Sequence, residues 1–436
     1  MNAKKIKKLS EQTFPFFLKC DIMEISRNKQ VRRCKSVIRT HKTTFRTSKI
    51  DLERLFACNR VSAQVWNNCL GHDKNHHRQT GRWINLSELQ QLTRKKYHLH
   101  SQSVQSVQER YIKARTNAWQ AKQKGFKNIR YPYREKKHYP ARWKKDGFVV
   151  HPNGLIELKM CLINGKRQPP IMVRVFNIPK GQIKEIELIW DGKLMLAISY
   201  EDGLQPKENN HQGIAAIDMG EIHGIACIAD NGRALVITSR KLRSQKRLRN
   251  KKYAELQKKL SRCQKGSRRW KKLRRALAKT LQKTERQQRD ILHKSSCRFV
   301  RWAEANRIGQ AVVGNVEGVQ RNTKAHRKNP KKKHRSRKVN QKLSQWPFGI
   351  LLWYLTYKLA AAGIDLIKTD ESYTTQTCPV CNRKKKVSGR TFRCYCGYAE
   401  HRDIHGAKNI LAKYKYGEIK DLGIKITKVT YLRPAS

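Results

Sequence analysis

Gly213-Ile214-Ala215-Ala216-Ile217-Asp218-Met219-Gly220 is an apolar run that stops on a carboxylate and a glycine. A run this short, bounded by glycine, reads as a buried strand. Ile225 to Ala229 and Ala234 to Thr238 follow at strand length, the latter after the turn Asp230-Asn231-Gly232, so the three form a meander. Farther on, a helix from about 288 to 306 leads into the strand Ala311 to Gly314, with Glu317 at its exit. A second helix, about 347 to 362, leads into Ile364 to Lys368, and a last helix opens near His401 with Asp403 in its first turn. Hairpin strands followed by strands reached through helices describe an α/β unit.

Taken singly, the three carboxylates carry little weight. A strand-end Asp is commonly a turn former, a Glu after a strand a surface charge, and an Asp near a helix start a partner for the helix dipole. In a ribonuclease-H-like layout, however, the ends bearing Asp218, Glu317 and Asp403 converge. Their mutual repulsion would be relieved by two Mg²⁺ (or Mn²⁺) ions about 3.5 to 4 Å apart, which clamp the attacking and leaving oxygens of a phosphodiester.

Upstream of this unit, Leu52, Leu55, Val61, Val65 and Cys69, and then Val104, Val107, Tyr111, Ala114 and Ala118, recur at helical spacing and predict two core stripes. From 147 to 200 the period changes to two, with Ile186, Leu188 and Trp190 turning through Asp191-Gly192 into Leu194, Leu196, Ile198 and Tyr200. This is a small β module with helices inserted after its first strand. The polar stretch from Gln205 to Gln212 reads as a linker.

The charge balance selects the partner. The chain of 436 residues carries 97 Lys and Arg against 32 Asp and Glu, a formal charge of +65. Such a field draws polyanions, so nucleic acid is the expected ligand and an ordinary metabolic enzyme is excluded. Between Arg240 and Asp290 there are 22 Lys and Arg and 3 acids, on two predicted helices joined at Gly266-Ser267. With so few acids, i,i+4 pairing cannot neutralise these helices, and they read as an arm facing phosphates. Arg321 to Lys342 holds 11 Lys and Arg and no acid, and is expected to be a mobile loop in the absence of ligand. Nine Trp, 15 Tyr and 11 Phe rule out wholesale disorder. No apolar run approaches the roughly 20 residues of a membrane span, so the expectation is a soluble, cytoplasmic and nucleoid-associated protein with no membrane partner.

Eight of the 12 cysteines are scattered, while Cys378, Cys381, Cys394 and Cys396 sit together. Two tight pairs separated by 12 residues are the arrangement that surrounds a tetrahedral Zn²⁺. A metal filled by four thiolates is structural and takes no part in the chemistry. Four buried thiols without metal, or an iron–sulfur cluster, are the other readings of this pattern.

Several motifs, in order and spacing, resemble the TnpB family, transposon-encoded RNA-guided DNA endonucleases related to type V CRISPR effectors. They are Ile217-Asp218-Met219-Gly220, Arg289-Asp290-Ile291-Leu292-His293-Lys294, Gly314-Asn315-Val316-Glu317, Tyr373-Thr374-Thr375-Gln376-Thr377-Cys378-Pro379-Val380-Cys381, and His401-Arg402-Asp403-Ile404-His405-Gly406-Ala407-Lys408-Asn409-Ile410. The resemblance is dense from about 213 to 412 and looser over 33 to 205. It implies a multidomain α+β chain. A basic extension (1–32) precedes a β-barrel-like wedge module (33–205) carrying a helical recognition insertion (about 48–130). A RuvC-like nuclease domain (213–412) follows, bearing the basic arm (about 240–306), the basic lid loop (321–342) and a zinc ribbon (about 372–398). A tail (413–436) ends the chain.

By the same resemblance Asp218, Glu317 and Asp403 are the catalytic, Mg²⁺-binding carboxylates, and Cys378, Cys381, Cys394 and Cys396 are the Zn²⁺ ligands. The partners are a guide RNA and target double-stranded DNA. Three departures stand out. His401 and His405 occupy places where the family usually has Asp and Asn, and the second cysteine pair has one intervening residue instead of two. His405 is therefore marked as an accessory group toward metal or phosphate. The alternatives are a miniature type V CRISPR effector using a CRISPR RNA, and an RNA-guided repressor with weak or no cleavage.

Overall fold

The computed structural model describes residues 38–126, 128–163, 165–316, 337–387 and 389–434. The chain divides into two compact units, Met1–Gln205 and Pro206–Ser436. The basic extension expected at 1–32 lies outside the described residues, as do Glu317 and positions 321–336 of the expected lid loop.

The first unit opens with β1 (Ile38–Thr43) and β2 (Phe45–Arg46), then turns helical: α1 (Lys49–Thr80), α2 (Leu86–Thr93) and α3 (Ser101–Gln123). Local chemistry sets the helix ends. The Ser48 hydroxyl accepts from the Asp51 N–H at 3.0 Å, and Gly81, at φ +70°, terminates α1 in a conformation that a side chain would strain. Asn85 and Glu88 form a reciprocal capping box at the start of α2. Leu55, Val65 and Cys69 are buried on α1, and Val104, Val107, Tyr111 and Ala118 on α3, while Leu52 is 36% exposed, so the α1 stripe begins one turn later than its spacing suggests.

Strands then follow in quick succession: β3 (Ala141–Lys144), β4 (Phe148–Val150), β5 (Leu155–Leu158), β6 (Leu162–Ile163), β7 (Lys166–Arg167), β8 (Ile171–Val175), β9 (Gln182–Trp190) and β10 (Leu194–Glu201). Two four-stranded sheets result, β1-β10-β9-β3 and β2-β8-β5-β4, both antiparallel, with β6 and β7 as a separate hairpin. All three helices thus lie between β2 and β3 in the chain. Asp73 ties α1 to α3 by accepting from the Tyr111 hydroxyl at 2.6 Å and pairing with Arg115.

The second unit holds one six-stranded sheet. Its strands are β11 (Gly213–Asp218), β12 (His223–Ala229), β13 (Arg233–Thr238), β14 (Ile308–Gly314), β15 (Asp365–Thr369) and β18 (Lys428–Leu432), in the spatial order β15-β14-β11-β12-β13-β18. The meander β11-β12-β13 is antiparallel, whereas β14 runs parallel to β11, β15 parallel to β14, and β18 parallel to β13. Residues 428–432, within the stretch expected as a tail, therefore form an edge strand. Five residues without flanking pattern do not announce a strand, and only the free edge of β13 pairs them.

Between β13 and β14 run α4 (Arg240–Ser261) and α5 (Arg268–Ala305). The sequence suggested separate helices before and after residue 285, but nothing between them breaks a helix, and α5 continues for 38 residues. Helices α6 (Arg337–Gln345) and α7 (Phe348–Ala361) precede β15, so the end of the expected lid loop is helical. The short strands β16 (Thr391–Arg393) and β17 (Ala399–His401) precede α8 (Arg402–Tyr416).

Both faces of the sheet are covered, which is why its strands read as continuous apolar runs. Ala215 and Ile217 point toward Ile291, Phe299, Leu351 and Leu355 of α5 and α7. Ala216, on the opposite face, packs with Val312 against Ile410 and Leu411 of α8. Ile404 and Ala407 of α8 cover Ala226, Ile228 and Val236. This packing fixes α8 across the carboxyl ends of β11 and β14.

Candidate functional site

Asp218 is the last residue of β11, and because β14 is parallel with Ile217 opposite Val313, the ends of both strands reach the same edge. The amino end of α8, with Asp403 in its first turn, arrives there too. Close approach is possible only because two glycines lack side chains. A Cβ on Gly406 of α8 would lie 2.6 Å from Asp218 Oδ2, and a Cβ on Gly314 would lie 2.7 Å from Glu371 Oε2. Glu371, two residues past the end of β15, therefore lays its carboxylate over the end of β14, in the space a side chain at 314 would take.

These groups sense one another. Burial first, then the negative fields of Asp403 and Glu371, push the Asp218 carboxyl up to about 8, against an opposing pull from Arg402. Burial, with Asp370 adding to it, raises Glu371 as well. Such a cluster calls for positive counter-charge, and its all-oxygen donor set suits Mg²⁺ or Mn²⁺. Two polar neighbours face Asp403 Oδ2: His223 Nε2 at 3.8 Å and Arg390 Nη1 at 3.5 Å.

Sequence reasoning brought Asp218 and Asp403 to this edge, and the structure places both there. Glu317 is outside the described residues, and β14 ends three positions before it. Glu371 and His223 were missed, although each carried a signal. Glu371 follows a predicted parallel strand, the same placement that singled out Glu317. His223 opens the strand antiparallel to β11, so it must sit at the edge where β11 ends.

The four cysteines form a second cluster. One sulfur from each of Cys378, Cys381, Cys394 and Cys396 lies within 4.8 Å of the others, with Cys378–Cys396 at 3.6 Å and Cys381–Cys394 at 3.4 Å. Tetrahedral zinc with bonds of about 2.3 Å requires sulfurs roughly 3.8 Å apart, so the shortened second pair does not prevent closure. Its backbone compensates: Gly397, at φ +89°, turns the chain sharply, and the Cys394 N–H donates to Tyr398 O at 2.8 Å. Backbone hydrogen bonding from Cys396 lowers the Cys394 thiol to about 6, favouring a thiolate, whereas burial pushes Cys378 up to about 12.

His405 is fully buried and faces away from the carboxylates. It stacks on Phe392 at 4.0 Å, its Nδ1 lies 3.2 Å from the Tyr398 hydroxyl and its Nε2 3.3 Å from Asn409 Nδ2. Both ring nitrogens thus face protein groups, and burial lowers the ring to about 4, keeping it neutral. Asn409 also donates to the carbonyls of Thr374 (2.7 Å) and Thr377 (2.8 Å). His405 and Asn409 therefore join α8 to the cysteine-bearing segment, so the folding of that segment bears directly on where Asp403 sits.

Two family models match the chain: one described as "Probable transposase" over residues 197–320, and one described as "Cas12f1-like, TNB domain" over residues 348–410. A TnpB-like protein of Methanocaldococcus jannaschii is 27% identical over 224 residues, covering 50% of this chain and 74% of the relative. The chain is similar to the TnpB proteins. A Streptomyces pristinaespiralis protein described as a "Putative RNA-guided DNA endonuclease" is 25% identical, covering 65% of this chain and 64% of its own length. Among solved structures, a Cas12f1-sgRNA-target DNA complex superposes with a TM-score of 0.60 at 15% identity, covering 83% of this chain and 82% of that one, a likeness of fold. The two matched segments contain Asp218, Glu371, the four cysteines and Asp403. Among the described residues no helix is long and apolar enough to cross a membrane.

Proposed function

We propose that the chain is an RNA-guided DNA endonuclease that hydrolyses phosphodiester bonds at the edge where β11, β14 and α8 meet, in a RuvC-like domain. The observation that carries this reading is the convergence of Asp218, Asp403 and Glu371, with the Asp218 carboxyl raised to about 8 by burial and by the other two. Buried carboxylates crowded in this way are costly, and cation binding is the use that offsets the cost. The sheet order, with an antiparallel meander extended by parallel strands, is the ribonuclease-H-like order and supports the same assignment.

Asp218, Asp403 and Glu371 would hold the divalent cations, Mg²⁺ or Mn²⁺, with Glu317 the candidate from sequence for the same task. Bound there, the cations would lower the pKa of the attacking water and stabilise the leaving oxygen. Asp218, on a strand end braced by a two-sided core, would keep its oxygen donors in place, Glu371 lies over Gly314, and Asp403 is aimed by α8. The four cysteines would bind Zn²⁺ as a ribbon whose task is to hold α8.

Helices α4 and α5 supply the polyanion surface. Lys271, Lys272, Arg274, Arg275 and Lys279 are all exposed on α5, and their neutralisation by RNA phosphates releases counterions, so binding would weaken steeply with salt. Pairing between a guide and one DNA strand would then read the target sequence, while the protein reads heteroduplex shape. The test compares RNA-stripped protein, protein with its own RNA, and protein with the guide segment replaced. The expected result is cleavage by loaded forms only, at sites that follow the guide. Equal cleavage by stripped protein, or a cut site indifferent to the guide, points instead to an unguided nuclease.

A further inference from the structure

We propose that His223, His401 and Asp403 form a mixed imidazole and carboxylate cation site beside Asp218, so that one cation at this edge is bound through ring nitrogens as well as oxygen. The proposal rests on the reading of Asp403 as a cation ligand and extends it to two residues with no assigned role. His223 opens β12 and His401 is the residue preceding α8, two positions before Asp403. One ligand atom from each of the three lies within 4.8 Å of the others. The imidazole centroids are 5.6 Å apart with planes at 69°, so the rings meet edge to face and do not stack.

The burial makes this arrangement informative. His223 is only 7% exposed, and the Nδ1 atoms of both His223 and His401 are buried with no hydrogen-bond partner among the described residues. A buried polar nitrogen left unmatched is destabilising, and each of the two rings carries one, while the other nitrogen of His223, Nε2, faces Asp403 Oδ2 at 3.8 Å. Donors about 2.0 to 2.1 Å from a common borderline cation stand roughly 3 Å apart, so the three groups would have to close in from their present separations, 3.8 Å for His223 Nε2 and Asp403 Oδ2, by side-chain rotation. Arg390 Nη1 stands 3.5 Å from the same Asp403 oxygen on a side chain that is 44% exposed, so it can leave when a cation enters. Imidazole ligands favour Mn²⁺, Co²⁺ or Ni²⁺ over Mg²⁺, and the chain would accordingly be selective for the former group.

The experiment uses tag-free full-length protein with its RNA and its zinc, histidine nitrogens labelled with ¹⁵N, and Mn²⁺ added as the probe. Electron spin echo modulation then separates imidazole nitrogen from RNA nitrogen. Two coupled ¹⁵N nuclei are expected, falling to one in His223→Gln and one in His401→Asn, and to none in the double variant, with Mn²⁺ affinity reduced about tenfold or more. A misfolded variant would lose both couplings at once, so the one-by-one loss tests ligation and not mere integrity. Arg390→Ala is expected to tighten Mn²⁺ binding. Mn²⁺ bound without ¹⁵N coupling would overturn the imidazole site and leave the carboxylate cluster standing. Absence of any protein-bound Mn²⁺ would overturn both.

Discussion

Replacing Gly406 by alanine separates stability from chemistry. In a helix, Ala is favoured over Gly by about 1 kcal/mol, so the substitution by itself would stabilise α8. The new Cβ, however, would stand 2.6 Å from Asp218 Oδ2 and 3.0 Å from Thr375 Cγ2, where ordinary contact begins at 3.4 Å. Asp218 is held at a strand end, so its carboxylate must yield by about 0.8 Å to restore that distance, or α8 must lift and carry Asp403 with it. A displacement near 1 Å at a reacting centre costs on the order of 100-fold in rate. The expected outcome is a thermal midpoint within a few degrees of the parent and a single-turnover cleavage rate down by about two orders of magnitude, measured on a plasmid matched to the guide. A variant that cuts within twofold of the parental rate would refute the placement of Asp218 against α8. A variant that unfolds would refute the tolerance of the helix.

Glu371→Gln, which keeps shape and removes charge, is expected to reduce cleavage by about 10³-fold while guide binding in a filter assay is unchanged, and Glu317→Gln assayed in parallel shows how much of the role belongs to that residue. Purified protein is expected to hold one Zn²⁺ per chain by elemental analysis, and Cys394→Ser to lower zinc content and cleavage together, because His405 and Asn409 tie the cysteine-bearing segment to the helix that carries Asp403. His405 has a folded-state pKa of about 4, below its ordinary value. The neutral ring is thus what the fold accommodates, and its contribution is complete above about pH 6.5 and is lost as pH falls toward 4. At roughly 1.4 kcal/mol per unit, up to about 3 kcal/mol is at stake. His405→Asn is expected to flatten the denaturation midpoint across that window relative to the parent.

Charge, periodicity and motif spacing are local properties, and from them the partner class, the α/β unit, Asp218, Asp403 and the four thiols could be read directly. Strand β11 was legible because burial on both faces makes Ile214 to Ile217 uniformly apolar, and α7 because its length and composition admit little else. What sequence could not supply was the relation between elements far apart in the chain. Glu371 lies over Gly314 because β15 pairs with β14 in parallel register. His223 meets His401 because the meander returns its second strand to the edge that α8 crosses. His405 turned from a neighbour of Asp403 in the chain into a stacking partner of Phe392, since two positions along a helix, at about 100° each, rotate a side chain to nearly the opposite face. The strand at 428–432 exists only because β13 offers an unpaired edge. Proximity across 50 to 200 residues depends on register and on the glycines that let backbones approach, and those are decided when the whole unit packs.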